Sequence, residues 1–110
     1  MKLPVYQHQR VERMLEETYH WWAEHHSQEQ AAKWFNGFLV ALESLSENPQ
    51  RFALAPENDA FPYEVRQLNY GVGAKPTHRA LYTVRPDMVF VFLVRHLSQG
   101  DLDVEKLDEK

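Results

Sequence analysis

The sequence predicts an α+β fold, an N-terminal helical hairpin packed on a small antiparallel sheet. Three observations predict it. Apolar residues in the first half recur at helical spacing, the last third falls into short β-branched and aromatic runs, and a proline-rich stretch separates the two. At 110 residues, 44% of them hydrophobic, the chain suits a single domain, and such a chain hides roughly two thirds of its unfolded surface.

The elements follow in order. A short strand is expected at 3–6. Val11, Met14, Leu15, Thr18, Tyr19 and Trp22 fall at i, i+3, i+4, i+7, i+8 and i+11, one continuous stripe on a first helix. Ser27 with Gln30 three residues later has the form of a capping box, in which side chains satisfy amides left free at a helix start. Ala31, Trp34, Phe35, Phe38, Leu39, Leu42 and Leu45 repeat the stripe until Asn48-Pro49, where proline lacks the donor needed to continue. So short a break between the helices, around 25–27, implies an antiparallel hairpin. Residues 49–63, with Pro49, Pro56, Asn58-Asp59 and Pro62, read as a surface loop. Strands are expected at 64–70, 77–84 and 88–94.

Proline sets the register of the last hairpin. A two-residue primed turn needs positive φ, which Pro86 cannot adopt, whereas a connection over 85–88 lets Pro86 occupy a central position of a type I turn. That register places Val84 opposite Val89, Arg79 opposite Val94 and Thr77 opposite His96, with Arg79 and His96 as diagonal neighbours on one face. The last strand is apolar on both faces, so both want cover. The helices cover one. The other is left for the terminal segment or a partner, and Trp34, Phe35, Phe38, Leu42, Val91 and Leu93 are the expected core or interface.

Charge and composition remove several classes of function. Without cysteine there is no thiolate zinc site, cysteine nucleophile or disulfide scaffold. No apolar run approaches the roughly 20 residues that span a bilayer, and Met1-Lys2-Leu3-Pro4 leads into polar sequence, so no membrane association and a cytoplasmic location are expected. The net charge of -4 argues against a generic nucleic-acid coat, yet it is unevenly spread. Residues 61–97 hold Arg66, Lys75, Arg79, Arg85 and Arg95 against Glu64 and Asp87, while the tail carries Asp101, Asp103, Glu105, Asp108 and Glu109 against two lysines. A basic segment inside an acidic chain suggests an anionic partner for that segment alone.

Glu16, His20 and Glu24 share one side of the first helix at i, i+4 and i+8, but this spacing reads as a solvated face and no metal site or cofactor is expected. Gly71-Val72-Gly73 lacks a third glycine and reads as a turn, and Ser98 has no nucleophile elbow. The group with chemical potential is Glu64, Arg66, Arg79, Arg95 and His96. Arginines on neighbouring strands with a histidine can neutralise a phosphate and move a proton. Alternatively, they are strand-end arginines paired with Glu64 and the acidic tail.

In this order and spacing the pieces resemble the RelE/ParE superfamily of type II toxin-antitoxin toxins. The carriers are Leu42-Glu43-Ser44-Leu45-Ser46-Glu47-Asn48-Pro49, Leu54-Ala55-Pro56-Glu57-Asn58, Val65-Arg66-Gln67-Leu68, His78-Arg79-Ala80-Leu81-Tyr82-Thr83-Val84, and the run from Val89 to Val94 that closes on Arg95-His96. The resemblance spans nearly the whole chain, with a single toxin domain over 1–97 and an acidic tail over 98–110. It implies two helices against an antiparallel sheet and a cognate antitoxin, encoded alongside, that neutralises the protein.

Two activities occur among such proteins, cleavage of ribosome-bound mRNA and poisoning of DNA gyrase. The arginine that is catalytic in RNA-cutting members maps to Arg79, and their acid-base group maps loosely to His96. RNA-cutting members are usually basic and carry further Lys, Arg or Tyr after the last strand. Here Leu97-Ser98-Gln99-Gly100-Asp101 follows His96, and the pI is about 5.8. The expectation is therefore a ParE-like gyrase inhibitor of the plasmid-stabilisation type that leaves RNA intact. The alternatives are a metal-independent endoribonuclease and a degenerate member that only binds an antitoxin. As a nuclease, it would use Arg79 on the phosphorane, Arg66 or Arg95 on the phosphate, and His96 or Glu64 as proton carrier.

Overall fold

The computed structural model describes residues 2–99. Of the acidic tail expected over 98–110, only Ser98 and Gln99 fall among them.

Strand β1 (Val5–Gln7) leads into helices α1 (Gln9–His25) and α2 (Gln28–Glu43), followed by β2 (Arg66–Tyr70), β3 (His78–Val84) and β4 (Val89–His96). The four strands form one sheet in the order β1-β4-β3-β2. The expected antiparallel meander β2-β3-β4 is present, and β1 adds to it in parallel with β4. The sheet is therefore mixed. Among the described residues no helix is long and apolar enough to cross a membrane.

Local chemistry explains the boundaries. The His8 ring caps α1 by accepting from the Arg10 amide at 3.0 Å, and Ser27 Oγ caps α2 by accepting from the Gln30 amide at 3.0 Å. After α2 the chain tightens into a 3-10 turn at Ser44–Ser46, and Asn48 takes a left-handed φ of 47° before Pro49. Arg51 secures this exit, donating to the carbonyls of Ser44, Glu47 and Asn48. The Tyr82 hydroxyl donates to the Pro49 carbonyl at 2.6 Å and ties the same corner to the sheet; burial pushes this phenol up to about 12.

The helical stripes pack on one sheet face. Val11, Leu15, Trp34, Phe38, Leu42 and Leu45 meet Leu68, Ala80, Tyr82, Val89, Val91 and Val94, with Phe35 partly buried at the edge. The opposite face is not left open. The later part of the expected surface loop of 49–63, together with the residues that lead into β2, folds across it and builds a second cluster of Ala55, Phe61, Val65, Leu81 and Phe92, with Phe90 and Leu93 alongside. Turn-forming residues hid these anchors from a reading based on loop composition.

The hairpin register begins as expected and then departs. Arg85 N–H donates to the Met88 carbonyl at 2.8 Å, and Val84 lies opposite Val89. Tyr82 then faces Val91 while Leu81 faces Leu93, so Phe92 is an extra residue in β4. Beyond this bulge Arg79 faces Arg95 and His78 faces His96, replacing the expected Arg79–Val94 and Thr77–His96 pairs. A one-residue slip turns every later side chain to the other face.

Helix and sheet approach closely at Gly37. A Cβ there would overlap the Tyr70 hydroxyl, which donates to the Trp34 carbonyl at 3.2 Å while the Tyr70 ring stacks on Phe38. Gly37→Ala should therefore destabilise the protein, because overpacking at such a contact costs about 1–3 kcal/mol. In a Tyr70→Phe background the same change should cost clearly less, since the hydroxyl overlap is gone, the ring carbon Cζ at 3.2 Å is then the nearest atom, and alanine is favoured in a helix by about 1 kcal/mol. Urea midpoints for the four proteins test this; equal effects in both backgrounds would remove the steric explanation.

Candidate functional site

The bulge sorts the candidate side chains onto two faces. On the loop-covered face, Arg79 of β3 forms a two-pronged ion pair with Glu57 and donates to Gln67 Oε1 at 2.9 Å. Arg79 is 4% exposed and Glu57 is 7% exposed. Backbone pairing delivers Glu57 to this place. Ala55 N–H donates to the Val65 carbonyl at 2.9 Å, Gln67 N–H to the Ala53 carbonyl at 3.1 Å, and Val65 N–H to Asn58 Oδ1 at 2.8 Å. The Leu54-Ala55-Pro56-Glu57-Asn58 segment is thus clipped to the β2 edge, and its glutamate is held against Arg79.

The helix-covered face carries the histidines. His78 lies among Trp34, Phe38 and His96, with ring centroids 5.2, 6.3 and 4.9 Å away. Its Nδ1 is engaged by Thr77 Oγ1 at 2.8 Å, and it is 5% exposed. Burial first, and the neighbouring His96 second, push its pKa down from 6.5 to about 4, so it is neutral near pH 7. His96 accepts from Ser98 N–H at 3.0 Å and lies 2.7 Å from Ser98 Oγ. Both histidines line a cleft of about 590 Å³ against α1, whose other walls include Met14, Trp21, Trp22 and Gln99.

The structure gathers only part of the expected cluster. Arg79 and His96 are on opposite faces of the sheet, so they do not share a site. Arg66 donates to the carbonyls of Gln50 and Phe52 at 3.2 and 2.7 Å and pairs with Glu64 at 2.8 Å, far along β2 from the histidines. Arg95 lies across from Arg79 and donates to the Gln99 carbonyl at 3.2 Å. Among the described residues no group of three or more His, Asp or Glu is placed to hold a metal ion.

Sequence reasoning singled out neither Glu57 nor His78. A signal existed for the first, since an arginine in a small sheet demands a carboxylate and Glu57 sits in a segment already conspicuous for its pattern. For His78 there was none, because its burial depends on the bulge.

Comparison with known proteins places these features in context. The family model for the ParE toxin of the type II toxin-antitoxin system, parDE, matches residues 5–100. A solved structure described as the chromosomal ParDE TA system from P. aeruginosa superposes with a TM-score of 0.69. It is 15% identical in sequence, the match covering 86% of this chain and 96% of that one. At that identity the likeness concerns the fold. No curated protein matches in sequence.

Removing one partner of a buried ion pair leaves an uncompensated charge and costs about 3–5 kcal/mol, while replacing both by apolar groups can be near neutral. Glu57→Ala should accordingly lose that much in urea unfolding, and Glu57→Leu with Arg79→Met should recover most of it. A loss below roughly 1 kcal/mol in the single variant would mean that Arg79 is not left buried and uncompensated when Glu57 is removed.

His78 makes a separate expectation. Its folded-state pKa lies below the unfolded value, so the stability from keeping it neutral is complete above 6.5 and lost as pH falls toward about 4. His78→Asn should show a shallower decline in denaturation midpoint across that interval than the parent. Parallel curves would show that the ring does not titrate as its burial implies.

Proposed function

Since the chain belongs to the ParE toxin family of type II toxin-antitoxin systems, we propose that it is a cytoplasmic growth inhibitor that poisons DNA gyrase by binding and is neutralised by a cognate antitoxin. The family membership implies an antitoxin partner. One observation carries the choice of a binding mechanism over RNA cleavage. Arg79, the position that resembles the catalytic arginine of RNA-cutting relatives, is buried in an ion pair with Glu57 and hydrogen-bonded to Gln67.

Cleavage requires a cation that reaches the developing charge on phosphorus and a nearby group that carries the proton. To reach a phosphate, Arg79 would have to leave Glu57 buried and unpaired, at about 3–5 kcal/mol. His96, the matching proton carrier, stands on the other face of the sheet. A gyrase poison needs neither group in that role. Its effect depends on contact surface, where most single changes cost little and a few anchors dominate.

The purified protein should leave ribosome-bound mRNA intact and accumulate gyrase-linked DNA breaks, and addition of the antitoxin should abolish the breaks. Cleavage in the ribosomal A site that disappears in Arg79→Lys, a variant that keeps the charge, together with normal supercoiling by gyrase, would overturn this reading.

A further inference from the structure

The loop-covered sheet face is exposed at its β1 edge. Tyr6 and Phe90 are register neighbours there, so their side chains share that face. Phe90 is half-buried beside the loop-side cluster, whereas Tyr6 is 55% exposed and, among the described residues, stacks on no other ring.

Two arginines flank these rings. The Arg85 guanidinium sits over Phe90, 5.3 Å from the ring centroid. The His8 ring meets Phe90 with 6.2 Å between centroids, and Arg10 lies against that imidazole, its Nε donating to Nδ1 at 3.2 Å and its Nη2 3.3 Å from Nε2. Elsewhere the arginines of this sheet are neutralised, Arg79 by Glu57 and Arg66 by Glu64. Among the described residues neither Arg10 nor Arg85 forms an ion pair, although Glu12 and Asp87 each stand two positions away in the chain.

Guanidiniums held by ring contacts keep donors for a ligand and, already ordered, lose little freedom on binding one. Their fork geometry matches phosphate oxygens. An exposed tyrosine ring beside them offers a flat face on which a base stacks. An acidic peptide satisfies the cations alone, whereas a nucleic-acid strand supplies anions and flat rings in the same repeat. The net charge of -4 does not oppose this, because at physiological salt exposed charges more than about 8 Å away are largely screened.

We propose that the patch of Tyr6, His8, Arg10, Arg85 and Phe90 binds a single strand of DNA, with phosphates on Arg10 and Arg85 and a base on Tyr6. The choice of DNA rests on the gyrase reading, under which the toxin grips the nucleic acid as well as the enzyme that acts on it.

The test is an NMR titration of the isotopically labelled full chain with a short single-stranded oligothymidylate. The ring resonances of Tyr6, His8 and Phe90 and the Nε resonances of Arg10 and Arg85 should move together and saturate. Arg10→Gln and Arg85→Gln should each weaken binding severalfold and flatten the plot of log affinity against log salt by about 0.7, the slope of one phosphate contact on a single strand. Tyr6→Ala should weaken binding about tenfold and Tyr6→Phe should preserve it, since the ring face is what stacks. Lys33→Gln, which removes an equal charge from an exposed position on α2, should change nothing. Equal shifts with polyglutamate at matched charge would overturn the proposal in favour of an acidic protein segment, and tighter binding of oligouridylate would overturn it in favour of RNA. Gyrase separates this inference from the target reading. Undiminished gyrase-linked breaks in Arg10→Gln/Arg85→Gln, with no oligothymidylate binding by the parent, would overturn the patch alone, whereas strand binding at the patch without any such breaks would overturn the target alone.

Discussion

One extra residue in β4 decides the rest of the arrangement. Because Phe92 is inserted between the residues opposite Tyr82 and Leu81, the strand after it is turned over. Phe92 and Leu93 both serve the loop-side cluster, Val94 serves the helix-side core, and Arg95 and His96 exchange the faces that strict alternation would give them. Two arginines, Arg79 and Arg95, consequently stand directly opposite each other on one face. Like charges so placed repel. A carboxylate on that face is therefore a structural requirement, and Glu57 supplies it to Arg79.

Meeting that requirement gives the segment between helices and sheet its shape. A buried ion pair adds little net stability, because desolvating both ions offsets most of their attraction. The stabilising term comes from the residues beside it: Phe61 and Val65 pack on Leu81 and Phe92, and fully burying a side chain of that kind is worth about 1.5–3 kcal/mol. The ion pair instead selects position. A glutamate shifted by one residue would be buried without its guanidinium, so the apolar cover must close in the register that brings Glu57 to Arg79.

This division of roles explains what could be read from the sequence. The helices were legible because their stripes are unambiguous, with Trp34, Phe38 and Leu42 fully buried as their spacing requires. The turn at 85–88 was legible because proline excludes the tighter alternative. The bulge was not, since β4 is apolar on both faces and period-two alternation carries no phase there. With the phase goes the site: strict alternation makes Arg79 and His96 neighbours and gives His78, which faces Trp34, no reason to be buried. The loop over 49–63 is harder to read for a related reason, because its prolines and Asn58-Asp59 describe how the chain turns and say nothing of Ala55 and Phe61 as anchors.

The same logic bears on how one fold hosts different activities. An arginine in a strand is a chemical resource only while its guanidinium can leave its protein partners for a ligand. Whether it can is decided elsewhere in the chain; here by a glutamate 22 positions earlier, held by backbone pairing at the β2 edge. A relative with the arginine but without an acidic side chain at the position of Glu57 would present the group instead of burying it, with no change in the order of elements. Resemblance at the arginine alone therefore leaves the chemistry open. The informative position is its carboxylate partner, and in this chain that partner directs Arg79 to holding the loop on the sheet, consistent with the proposed action through surface contact.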